Sequence, residues 1–203
     1  MADQRGQKDP SPPNATPIDR NEIDGLIPEH LETQAELNQW EAVNIADAER
    51  WASQLPAVDV LSTMNLKDLH RRMFSETWQW AGAYRTSDKN ISPYHWTRVP
   101  ELMENLVANT RARFETSDPS PGALDEIAAR FHHQLVHIHP WPNGNGRHAR
   151  LATDLLLRSW DRPPFTWGGS ENQGDADLRA RYVTALRHAD AGDYSSLNRF
   201  VRG

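Results

Sequence analysis

The residues best able to do chemistry are concentrated in one stretch, His139-Pro140-Trp141-Pro142-Asn143-Gly144-Asn145-Gly146-Arg147-His148-Ala149-Arg150. Two prolines stiffen this backbone, and two glycines let it turn or approach a ligand closely. The next residues, Leu151-Ala152-Thr153-Asp154-Leu155-Leu156-Leu157, read as the start of a buried helix. A glycine-rich loop that opens a helix makes an anion pocket, because first-turn N–H groups lack partners and the helix dipole favours negative charge. Arg147 and Arg150, at i and i+3, leave one face of that turn. Guanidinium forks match phosphate oxygens in pairs, and His139, just ahead of the pocket, can take a proton at neutral pH. The stretch therefore reads as a polyphosphate held at a helix N-terminus with a general base beside it. Each residue also has a plainer role open to it. Arg147 and Arg150 could be structural ion-pair partners, Asn145 could stabilise the turn, and Asn143 serves equally as turn former or metal ligand. Gly144 and Gly146 read as backbone requirements whose N–H groups face the anion.

The same stretch is similar to the signature of the Fic (fido) family, His-x-Phe-x-Asp/Glu-Gly-Asn-Gly-Arg-x-x-Arg. His139, Gly144, Asn145, Gly146, Arg147 and Arg150 match it, Trp141 replaces the phenylalanine, and Asn143 replaces the acid. The resemblance implies an all-α bundle with a short β-hairpin flap, and it implies transfer of AMP from ATP to a Ser, Thr or Tyr hydroxyl of a target protein. On that reading His139 is the catalytic base, and Gly144, Asn145, Gly146, Arg147 and Arg150 hold the nucleotide. The family's acid ligates Mg2+, so Asn143 stands at the metal position without the charge. Doc-branch signatures, whose members phosphorylate with the γ-phosphate, carry Ala-Asn-Lys where this chain has Gly144-Asn145-Gly146. That difference favours AMP transfer, and a non-catalytic nucleotide-binding module is the third reading.

The run Trp80-Ala81-Gly82-Ala83-Tyr84-Arg85-Thr86 also resembles the family, where it leads into the flap. Here the flap would cover about 87–96, with Asp88-Lys89-Asn90 as turn residues, and a protein substrate would dock near Ile91-Ser92 by strand addition. Fic proteins often carry an inhibitory helix whose glutamate pairs with the second signature arginine. Only a near miss of its pattern occurs, at Thr33-Gln34-Ala35-Glu36-Leu37-Asn38. Glu36 and Glu41 of that helix could reach Arg150, but both read first as exposed helix-surface acids.

A formal charge of −6 over 203 residues argues against general affinity for nucleic acid or an anionic membrane. No apolar run is long enough to span a bilayer, and the absence of cysteine excludes thiolate chemistry and fits a cytoplasmic setting. A homo-oligomer or a separate regulatory partner stays open. His133 and His137 have the spacing at which two imidazoles can share a metal. Gln134, however, stands where the His-Glu-x-x-His hydrolases need glutamate, so His132, His133 and His137 read as helix-packing or surface residues.

The elements that must position the signature follow from apolar periodicity. Residues 1–20 are polar and proline-rich and read as a flexible arm. Residues 21–58 form an N-terminal helical extension, its helix spanning about 33–54 behind a Thr33/Glu36 capping box. The resemblance implies a Fic domain over 59–203, where periodicity places helices at about 65–74, 100–115, 123–137, 151–160, 175–191 and 194–201. The helix at 123–137 delivers the signature loop, and the helix behind it lies at the centre of the core.

Overall fold

In a computed structural model of the chain, residues 23–31, 33–54, 59–117, 120–169 and 175–203 are described. The expected arm at 1–20 lies outside them. Among the described residues seven α-helices run in order: α1 (Gln34–Gln54), α2 (Thr63–Phe74), α3 (Val99–Thr116), α4 (Pro121–Ile138), α5 (Asn145–Ser159), α6 (Asp175–Asp190) and α7 (Ser195–Arg202). A 3-10 turn, Trp96–Arg98, leads into α3.

Local chemistry explains the ends. Thr33 and Glu36 form the expected reciprocal cap, with Thr33 N–H donating to Glu36 Oε2 at 2.9 Å and Glu36 N–H to Thr33 Oγ1 at 3.2 Å. Pro100 and Pro121 sit in the first turns of α3 and α4, where a missing N–H costs nothing. Helix α5 begins at Asn145, six residues earlier than the apolar run suggested, because Gly144 takes φ +77° as its N-cap. A Cβ at Gly144 would also fall 2.5 Å from Phe74 Cζ, so only glycine fits.

The helices pack around two apolar clusters that meet along α4 and α5. One gathers Leu66, Met73, Met103, Phe131, Leu135 and Leu156, with Leu37, Ala48 and Ala52 of α1 on its flank. The other gathers Ala128, Leu157, Tyr182, Leu197 and Phe200. Helices α4 and α5, buried on several sides, hold the signature loop between them.

The all-α expectation holds, but the hairpin does not form. Among the described residues no strand occurs, only an isolated bridge between Leu26 and Trp78. The reason at 87–96 is Arg85, whose side chain is almost fully buried. Its Nη1 donates to Ser87 O at 2.7 Å and its Nη2 to Tyr94 O at 2.7 Å. One guanidinium thus takes acceptors from both arms, where a cross-strand ladder would need them.

Candidate active site

His139 ends α4 in the left-handed region, φ +54°, an uncommon conformation for a residue with a Cβ. Its carbonyl accepts from Arg85 Nε at 2.8 Å, and Pro140 O accepts from Arg85 N–H at 2.8 Å. Its ring is buried, at 4% exposure. Nδ1 lies 3.2 Å from Val136 O. A carbonyl only accepts, so Nδ1 carries the proton and Nε2 keeps the lone pair. Burial, reinforced by the Arg85 and Lys89 charges, pulls the imidazole down to about 3. At neutral pH the ring is therefore uncharged and able to accept a proton at Nε2.

The loop beyond His139 is braced residue by residue. Asn145 clamps it, accepting from Trp141 N–H and donating to Trp141 O, both at 2.9 Å. Trp141 is fully buried, stacks on His70 at 4.4 Å, and donates through Nε1 to His148 Nδ1 at 3.1 Å. His148 Nε2 in turn donates to Leu66 O at 2.9 Å. His70 accepts from Gly82 N–H at 2.9 Å and donates to Asn143 O at 3.2 Å. Burial holds His70 well below its usual range and His148 at about 4, so both are neutral relays. Trp141 thus keeps the apolar anchor of the family phenylalanine and adds an N–H with its own acceptor.

The N-terminus of α5 is where an anion could sit. The N–H groups of Asn145, Gly146 and Arg147 have no carbonyl behind them within the helix. A Cβ built on Gly146 meets nothing within 4 Å, so the space over this turn is open. Gly144 differs, since its N–H donates to Asn143 Oδ1 at 2.6 Å. Asn143 therefore acts as a turn former. The loop offers no carboxylate, and the amide oxygens of Asn143 and Asn145 are already engaged, a donor set that does not fit a tightly held Mg2+ ion.

The two arginines part company. Arg150 lays its guanidinium over Tyr182 at 4.6 Å from the ring centre, and its buried Nε has no acceptor among the described residues. Arg147 turns to α1, where its Nη1 meets Glu41 Oε2 at 2.7 Å. Glu41 is 2% exposed, and its other oxygen accepts from Trp78 Nε1 at 2.7 Å. The expectation for Glu41 is corrected on two counts. It is a buried ion-pair partner and not a surface acid, and it meets the first signature arginine, not Arg150. Glu36 is the surface acid expected. Sequence reasoning missed His70 and Arg85 and gave Glu41 the wrong arginine, because their partners lie 73, 54 and 106 residues away.

This arrangement of helices defines a class. The fold is similar to the BepC protein of Bartonella tribocorum, solved with bound AMPPNP, at a TM-score of 0.72 and 16% identity, covering 90% of this chain and 96% of that one. It is also similar to Fic-1 of Caenorhabditis elegans, with a TM-score of 0.62 and 28% identity over 88% of this chain and 51% of that one. Residues 60–157 match the model of the Fic/DOC family, so the chain carries a Fic/DOC domain over that stretch. Among curated proteins it is 31% identical over 135 residues to protein adenylyltransferase Fic of Nematostella vectensis, covering 66% of this chain and 30% of that protein. Against protein adenylyltransferase fic-1 of Caenorhabditis elegans it is 29% identical over 146 residues, 70% of this chain and 27% of that one. The chain thus spans less than a third of the length of these relatives. No helix among the described residues is long and apolar enough to cross a membrane.

Proposed function

We propose that this protein is a nucleotidyltransferase that moves AMP from ATP to a hydroxyl of a target protein. The observation that carries the reading is His139, neutral, locked with Nε2 as acceptor, and set ahead of an open helix N-terminus. Its Nε2 takes the proton of a Ser, Thr or Tyr hydroxyl. The oxygen attacks the α-phosphorus, the bond to the bridging oxygen breaks, and pyrophosphate leaves. The N–H groups of Asn145, Gly146 and Arg147 and the Arg150 guanidinium hold the phosphate charge as it develops, the main protein contribution in such transfers. Arg147 joins them when it exchanges Glu41 for phosphate. The curated relatives' activity and the AMPPNP bound by BepC support the same reading.

Magnesium would accompany the triphosphate and offset its charge. The target protein docks along 87–96, where Ile91 presents a 44% exposed apolar side chain. Ser92 Oγ is turned inward, at 3.0 Å from Ile138 O, so Ser92 ties the docking segment to the end of α4. A cytoplasmic setting belongs to the same reading. Incubation with ATP labelled separately on the α- and γ-phosphates tests it. Transfer of α-label supports AMP transfer, γ-label alone means a Doc-like kinase, and no label with either means a binding module. His139→Ala should abolish transfer while keeping nucleotide affinity.

A further inference from the structure

On the far side of α4 from the α2 core lies a cluster the proposed reaction does not use. His133 and His137 stand one helical turn apart, so both imidazoles leave the same face. Asp190, the last residue of α6, reaches the same point. His133 Nε2 lies 2.8 Å and His137 Nδ1 2.9 Å from one carboxylate oxygen, Asp190 Oδ1. The ligand-type atoms of all three lie within 4.8 Å of one another. Asp190 falls beyond the 60–157 span that matches the family.

We propose that His133, His137 and Asp190 form a binding site for a divalent transition-metal ion, with zinc the best-matched ion. In a tetrahedral zinc site with bonds of about 2.0–2.1 Å, neighbouring ligand atoms sit roughly 3.3 Å apart. The two nitrogens therefore need to part from Asp190 Oδ1 by only about half an ångström. An outer partner is in place as well, since His133 Nδ1 lies 2.8 Å from Tyr194 Oη. When Nε2 ligates the ion, the ring proton resides on Nδ1 and is donated to Tyr194, the second-layer bond typical of a metal-bound histidine. Side-chain exposure grades from 3% at His133 through 24% at His137 to 44% at Asp190, so the ion enters from solvent and water completes the shell. Two nitrogen ligands and a single carboxylate select against magnesium and calcium, which want oxygen. The bound ion staples the last turn of α4, which leads into His139, to the end of α6.

The test uses the full chain, free of any affinity tag and stripped with chelator, titrated with zinc chloride in excess magnesium chloride. One zinc should bind per chain. At about 100 times the dissociation constant it should raise Tm by roughly 5–10 °C. Cobalt(II) in its place should give visible absorption of the tetrahedral type. Asp190→Asn and His137→Gln, both at solvent-accessible positions, should each weaken zinc binding at least about tenfold and lose the Tm shift. His95→Gln, which removes a surface histidine 3.7 Å from Asp88, should leave it intact. Absence of zinc binding by the natural chain would overturn the proposal. So would unchanged binding in both Asp190→Asn and His137→Gln, which would place the ion elsewhere.

Discussion

Replacing Glu41 by Gln separates restraint from architecture. The carboxylate spends one oxygen on Trp78 Nε1 and the other on Arg147 Nη1, each at 2.7 Å. Gln keeps an oxygen for the buried indole but turns an NH2 toward the guanidinium. One charge-assisted bond is lost, a contribution of about 1.5–3 kcal/mol. For a chain of this size that lowers Tm by roughly 3–12 °C. On the proposed function the same bond competes with phosphate for Arg147. At tenfold per 1.4 kcal/mol, its loss should tighten ATP binding by roughly 10–150-fold and raise transfer accordingly. Glu41→Ala should be freed likewise but less stable still, because it leaves the Trp78 N–H buried without an acceptor, at about 1–3 kcal/mol. Isothermal titration with ATP and thermal melts on the same samples read both effects. A Glu41→Gln variant that loses stability and gains no affinity would refute the view that α1 occupies a phosphate position.

Gly144→Ala and Gly146→Ala should behave oppositely. The first forces a Cβ into φ +77° and against Phe74, and should cost about 2–5 kcal/mol in thermal melts. The second meets no neighbour and should melt no lower than the parent, yet bind ATP more weakly because the methyl enters the phosphate space. Acid should unfold the chain early. His132 and His139 are held at about 3 and His148 at about 4 by burial, below their unfolded value, with His70 shifted the same way. Between those values and about 6.5 the unfolded chain binds more protons, so stability falls as pH falls, by about 1.4 kcal/mol per pH unit for each such histidine. A Tm unchanged from pH 7 to pH 5 would contradict this. Asn143→Asp should restore a charged ligand and lower the magnesium concentration needed for half-maximal transfer, whereas equal magnesium titrations for the two proteins would contradict that assignment.

What could be read from the sequence was local. Apolar spacing placed six of these seven helices within two residues, whereas α5 starts six residues before the expected 151, and the Thr33/Glu36 cap appeared as expected. The signature loop, with His139 ahead of a helix N-terminus, was legible because its residues are consecutive. What the sequence hid was long-range. Glu41 looks like any acid on a polar helix until Arg147 and Trp78 close over it. Arg85 looks like a surface arginine but is the post around which 87–96 is wound, which is why turn-type residues there gave no hairpin. His148 carried a faint signal, since a buried Trp141 needs an acceptor for its N–H.

The central claim is that the turn between α4 and α5 grips a triphosphate with its α-phosphorus presented to a waiting imidazole. A crystal structure of Glu41→Gln soaked with a non-hydrolysable ATP analogue tests it most directly. Phosphate oxygens should lie on the N–H groups of Gly146 and Arg147 and on the Arg150 guanidinium, with room for a hydroxyl between His139 Nε2 and the α-phosphorus. A nucleotide bound in reverse, with its γ-phosphorus toward His139, or a cleft that stays empty at saturating analogue, would contradict it.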